Sequence, residues 1–279
     1  MSLAGLAEDV EWPDGEAARA AAPRHRSGGT LDDLAAWLAG LHGCVPAREI
    51  TRPRVLLFPG TPAGPVHAVA EVLDLPVDVV AAAPASVPAA LAAGAGYADS
   101  LVDTGADLLV FCAAGLPVTR EVVTALFTDT EPVRVLPRGS VLSTAEWISL
   151  ATRVRDGRLA LRDADRDPDR VLDLAADPDL AFLTGCLVRA VARRTPIVLD
   201  GPAAVTAAVV GYRVQPRITR WLRLADDTAE PIQAAAQRSL SLPTVLSLQS
   251  LGPDAAAGPL AVPVLRAAVA RARAGSANV

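Results

Sequence analysis

The sequence predicts an α/β protein: a mostly parallel, Rossmann-like sheet covered by helices on both faces. Two observations carry this. Short runs with fully apolar centres, at residues 54–58, 107–112 and 196–200, alternate with stretches of helical periodicity. A strand apolar on both sides is buried on both sides, and a strand–helix alternation builds a parallel sheet. The runs also end on turn residues, Pro59-Gly60, Ala113-Ala114-Gly115 and Gly201-Pro202. Ligands of such sheets bind beyond the carboxyl ends of the strands.

The elements follow in order. Residues 1–30 are rich in Ala and charge and read as an arm with one helix. Leu31, Leu34, Trp37, Leu38 and Leu41 share one face of a helix. Residues 54–58 form the first strand, 66–73 a short helix and 77–82 the second strand. Ser86 opens a helix to residue 102, in which Gly94 and Gly96 suit close packing. Residues 107–112 are the third strand, 119–127 a helix and 133–136 a short strand. Ser143 and Glu146 have capping-box spacing, for a helix to about residue 155. Residues 155–179 are crowded with Arg and Asp and read as a solvated loop with one short helix. A helix at 180–193 shows its stripe at Leu180, Leu183, Leu187 and Val191. Residues 196–200 form a strand, followed by an alanine-rich helix, two short strands at 221–224 and 245–248, and a last helix at 263–272.

Composition narrows the function classes. The chain has 279 residues, 51% hydrophobic but only 4% aromatic, so its core is built from Ala, Val and Leu. A net charge of −5 without a basic block argues against nucleic acid as partner. All 26 basic residues are arginine, which removes Schiff-base chemistry, a lysine base and a Walker-type loop. Cys44, Cys112 and Cys186 are isolated and suit a reducing, cytoplasmic setting. His25, His42 and His67 lack metal-ligand spacing, so no metal is expected. Neither GxSxG nor GxGxxG appears. The uncharged stretch 79–98 holds two prolines and few large aliphatics, so a buried strand and helix fit it better than a membrane span. No basic, apolar leader opens the chain.

Several segments resemble the nicotinate-nucleotide:dimethylbenzimidazole phosphoribosyltransferase family. Ala192-Arg-Arg-Thr-Pro-Ile-Val-Leu-Asp-Gly201 is similar to its ARRVPVVLDG, with Asp167-Pro168 at the DP before it. Ala229-Glu230-Pro231 resembles the AEP of its SAEPGH, 259–265 its ALALPLL, 105–109 its GADLL, Arg138-Gly139 the RG of its GRGTG, and 34–39 its LA.WLA helix. The order holds from about residue 30 to the C-terminus. The resemblance implies phosphoribosyl transfer from nicotinate mononucleotide to an azole base, in cobalamin lower-ligand synthesis, by a homodimer without a cofactor. It also implies residues 1–50 as an arm and helix contributing to a small helical subdomain. Residues 51–279 then form the transferase-like domain, whose last helix returns to that subdomain.

The family's functional motifs are altered. FAGDHG becomes Phe58-Pro-Gly-Thr-Pro-Ala63, and the segment after it is shortened. Of GEMGIGNTT only Gly115 and Thr119 remain. Its GG before the central helix is Ala176-Asp177, and two histidine positions are Asp226 and Gln233. The glutamate of GEGTG, the family's general base, corresponds to Asp254, one methylene shorter. The resemblance therefore assigns Asp254 as the catalytic base and Gly115, Thr119, Arg138, Gly139, Asp200 and Gly201 as substrate-binding residues. It leaves a second reading open: an inactive relative acting as a ligand-binding or regulatory partner.

Overall fold

A computed structural model describes residues 1–22, 29–58, 64–80, 82–114, 118–137, 142–228, 230–249 and 256–276. In chain order the elements are α1 (Leu3–Leu6), α2 (Gly15–Ala21), α3 (Thr30–His42), β1 (Pro53–Leu57), α4 (Pro65–Val72), β2 (Val77–Val79), α5 (Val87–Asp103), β3 (Leu108–Cys112), α6 (Thr119–Phe127), α7 (Thr144–Ala160), α8 (Pro168–Ala175), α9 (Pro178–Ala192), β4 (Ile197–Asp200), α10 (Pro202–Val214), β5 (Leu222–Asp226), α11 (Pro231–Leu240), β6 (Thr244–Leu246) and α12 (Ala257–Ser276). The strands form one parallel sheet in the order β2-β1-β3-β4-β5-β6. The chain moves one way from β1 to β2 and the other way from β1 to β3. Helices α5, α9, α10 and α11 pack side by side on one face, and α4, α12 and α3 on the other. Strands β3 and β4 are buried throughout, as strands covered on both faces must be.

Local chemistry explains the boundaries. α4, α5 and α8 to α11 carry a proline at their first or second position, where its fixed φ suits a first helical turn and its missing N–H costs nothing. The Ser143–Glu146 capping box forms as expected: Ser143 N–H donates to Glu146 Oε2 at 2.8 Å, and Glu146 N–H to Ser143 Oγ at 3.3 Å.

Gly94 lies where α5 meets α9. A Cβ there would stand 2.0 Å from the Phe182 carbonyl oxygen, and one at Gly185 2.3 Å from that of Leu91. Gly96 has open space around it, so the close approach needs only the first glycine of the pair.

Three elements differ from expectation. Residues 133–136 are not a strand: Pro132–Arg134 is a 3-10 turn, because Pro132 sets a helical φ, while Val135 and Leu136 still enter the core. The N-terminal arm holds two short helices, each capped by a side chain, Ser2 or Asp14. The last helix starts at Ala257 and passes through Pro263, a residue that ordinarily breaks a helix interior.

Candidate active site

The parallel sheet brings every strand's carboxyl end to one edge, and buried acids gather there. Asp200 ends β4 and is 5% exposed. Its Oδ2 accepts the Gly258 N–H at the start of α12, and the Ala257 and Gly201 amides donate to it as well. Burial raises its pKa to about 7, Asp226 adds to the rise, and the three amides oppose it. The tether is tight. A Cβ at Gly258 would meet Cys112 Sγ and Val110 Cγ1, both at 2.8 Å, so only glycine lets α12 begin against β3 and β4. Asp226, at the end of β5, is 2% exposed and accepts the Leu248 N–H at 2.5 Å, tying the segment after β6 to this edge. Gly201 turns the chain at φ +92°, left-handed space open to glycine.

Beyond β3, the start of α6 is strained. Val118 has φ +85° and ψ −59°, an outlier for a β-branched residue. Its N–H donates to Glu121 Oε2 at 2.6 Å. The other oxygen of this buried carboxylate accepts Arg120 Nε at 2.8 Å, and Arg120 Nη1 donates to the Ala114 carbonyl at 2.5 Å. Glu230, before α11, lies within reach of both charges. Burial raises its pKa, Arg120 lowers it and Glu121 raises it. The Thr119 hydroxyl bonds to Asp177, whose carboxylate also caps α9 through the Leu180 N–H at 3.0 Å. Burial holds Asp177 above the ordinary range, and Asp179 adds to this.

Of the residues assigned from the sequence, the structure therefore brings Thr119, Asp200 and Gly201 to the carboxyl edge. Thr119 engages Asp177, and Asp200 with Gly201 engages the start of α12. Gly115, Arg138, Gly139 and Asp254 lie outside the described residues. Sequence reasoning offered Arg120 as a further phosphate donor but missed its pairing with Glu121, and it missed Gly258. The Val-Thr-Arg-Glu helix start and the Gly-Pro at the start of the last helix were the available signals. Among the described residues, no group of three His, Cys, Asp or Glu is arranged to hold a metal ion. Nor is any helix among them long and apolar enough to cross a membrane.

A family model described as "Phosphoribosyltransferase" matches residues 78–277 of this chain. The chain belongs to this phosphoribosyltransferase family. Among its relatives, the nicotinate-nucleotide–dimethylbenzimidazole phosphoribosyltransferase of Mycobacterium ulcerans is 31% identical over 87% of this chain and 83% of its own length. The enzyme of that name from Streptomyces avermitilis is 29% identical over 98% and 90%. The fold is that of the crystal structure of CobT from Thermus thermophilus, which covers 97% of this chain and 96% of its own at a TM-score of 0.77 and 18% identity. A second structure from that organism, a dimethylbenzimidazole phosphoribosyltransferase, aligns with a TM-score of 0.76. Family membership and this shared fold agree with the resemblance seen in the sequence.

Proposed function

We propose that this phosphoribosyltransferase family member, as a homodimer, transfers the phosphoribosyl group of nicotinate mononucleotide to an azole base at the carboxyl edge of its sheet. The azole nitrogen attacks C1′ of the ribose, the bond from C1′ to the pyridine nitrogen breaks, and nicotinate leaves. The azole N–H proton passes to a carboxylate, for which we propose Asp254. The tether of Ala257 and Gly258 to Asp200 is the observation that supports this. It pins the start of α12 to β4, and Asp254 is three residues upstream, within about 11 Å of chain. Asp200 then acts as a positioning residue for that segment, with Gly201. Arg138, Gly139, Gly115 and Thr119 are proposed for the phosphate. Arginine binds phosphate bidentately and compensates in part for lost glycine amides.

One observation favours the second reading, a non-catalytic ligand-binding or regulatory partner. Thr119 and Asp200 already spend their polar atoms inside the protein. Chromatography of nicotinate mononucleotide incubated with dimethylbenzimidazole and protein separates the two. Transfer should release nicotinate and form a ribosylated azole, and Asp254→Asn should lower the rate by about a hundredfold or more. Equal rates in the variant would remove Asp254 from the mechanism. No product from the wild type with any azole would leave the partner reading.

A further inference from the structure

Two clefts open at the opposite, amino-terminal edge of the sheet, and their arginines differ. In the first, of about 440 Å³, the cations are engaged. Arg193 bonds to Asp99 and Asp103, Arg194 to Glu11, and Arg48 to the His42 carbonyl. The second, of about 680 Å³, lies between α2, α3 and the amino ends of β5 and β6. Arg220 and Arg223 both line it, as does Asp33, and no described carboxylate, Asp33 included, lies within ion-pair distance of either arginine. Arg223 is drawn out of water over the Trp37 ring, 4.3 Å from its centroid, and donates to the Leu222 carbonyl. Burial, then the charge of Arg220, pull its pKa down to about 10, and Asp33 offsets this only in part.

Arg223 and the backbone of Arg220 are held in place before any ligand arrives. Trp37 Nε1 donates to the Arg220 carbonyl at 2.9 Å, fixing the backbone that carries one arginine to the ring that carries the other. Trp12, 59% exposed, has the Arg217 and Arg220 guanidiniums 5.7 and 5.8 Å from its ring centroid and gives the cleft an aromatic wall. Thr219, Ser239 and Ser241 add hydroxyl-bearing residues to the lining. Two guanidiniums without an ion-pair partner among the described residues suit a phosphate, the aromatic wall suits a planar ring, and the hydroxyls suit a sugar between them.

We propose that this cleft is a mononucleotide-binding site, with Arg220 and Arg223 on the phosphate and Trp12 against the base. The site is independent of the transfer chemistry, so its test reads binding alone. Two of the chain's four tryptophans, Trp12 and Trp37, line the cleft, so tryptophan fluorescence with calorimetry serves as readout. Adenosine 5′-monophosphate, adenosine and inorganic phosphate are titrated into the full chain. The monophosphate should saturate a fluorescence change at concentrations where adenosine and phosphate alone give none. Arg220→Gln, at an exposed position that leaves folding intact, should weaken the monophosphate about tenfold, the loss of one charge-assisted hydrogen bond. No binding of the monophosphate overturns the proposal. So does binding that Arg220→Gln leaves unchanged, which places the nucleotide elsewhere, or inorganic phosphate binding as tightly as the nucleotide.

Discussion

Asp200 joins β4 to α12 through a carboxylate that prefers its proton. The ordinary aspartate value is 3.8 and the folded value about 7. Between these values the unfolded chain has released the proton while the folded chain retains it. Rising pH therefore favours unfolding, with a slope approaching about 1.4 kcal/mol per pH unit. The stabilisation is fully present below pH 3.8, falls as pH rises toward 7 and is lost above it. Asp177 and Glu230 shift in the same direction, so the test is a difference between two proteins. Urea unfolding of the wild type and Asp200→Asn at intervals from pH 4.5 to 8 should show a gap between their stabilities that changes across this window and levels off above pH 7. Parallel curves would show that Asp200 ionises normally in the fold.

The α5–α9 crossing shows how a helix contact can hang on one missing methyl group. Gly94→Ala drives a carbon into the Phe182 carbonyl, and overpacking against backbone costs about 3 kcal/mol or more, since neither helix can move alone. Gly96→Ala meets nothing and removes a flexible residue from a helix interior, a gain of about 0.5–1 kcal/mol. Thermal unfolding of the two variants should shift in opposite directions, and a shared sign would contradict the packing. The sequence pattern carried most of the elements because apolar runs and caps are local: 107–112 and Ser143–Glu146 need no distant partner to be recognised. It failed where tertiary contact decides. Pro263 sits inside α12 although local rules put it at a helix start. The Val133–Leu136 run is as apolar as a strand, yet Pro132 gives it a turn. The site divided in the same way. Asp200 was legible as a polar residue closing an apolar strand, but its bond to Gly258 spans 58 positions and has no local signature. Thr119 and Asp177 likewise meet only through the fold.

Charge is distributed unevenly through the molecule, and that bears on how a phosphorylated donor enters. The buried charged side chains among the described residues are Glu121, Asp177, Asp200 and Asp226, all acids and all at the carboxyl edge. Arg120, the cation described beside them, already bonds to Glu121 and the Ala114 carbonyl. A phosphate approaching this edge meets negative charge in a medium that screens it poorly. Nicotinate mononucleotide should therefore bind weakly at pH 8. Protonation of Asp200 near pH 7 removes one of these charges, and repulsion between unit charges 8–10 Å apart costs about 1.7–2.1 kcal/mol at an effective dielectric of 20, roughly fifteen- to thirty-five-fold in affinity. A phosphate monoester loses its second charge only near pH 6, so the donor remains largely dianionic at pH 6.5. Calorimetric titration with nicotinate mononucleotide should accordingly give several-fold tighter binding at pH 6.5 than at pH 8. Asp200→Asn should bind at pH 8 nearly as tightly as the wild type does at pH 6.5, with little further gain on acidification. Wild-type affinity that stays level or falls at the lower pH would mean that the donor's phosphate lies beyond the reach of these acids, and that the edge they line serves the azole instead.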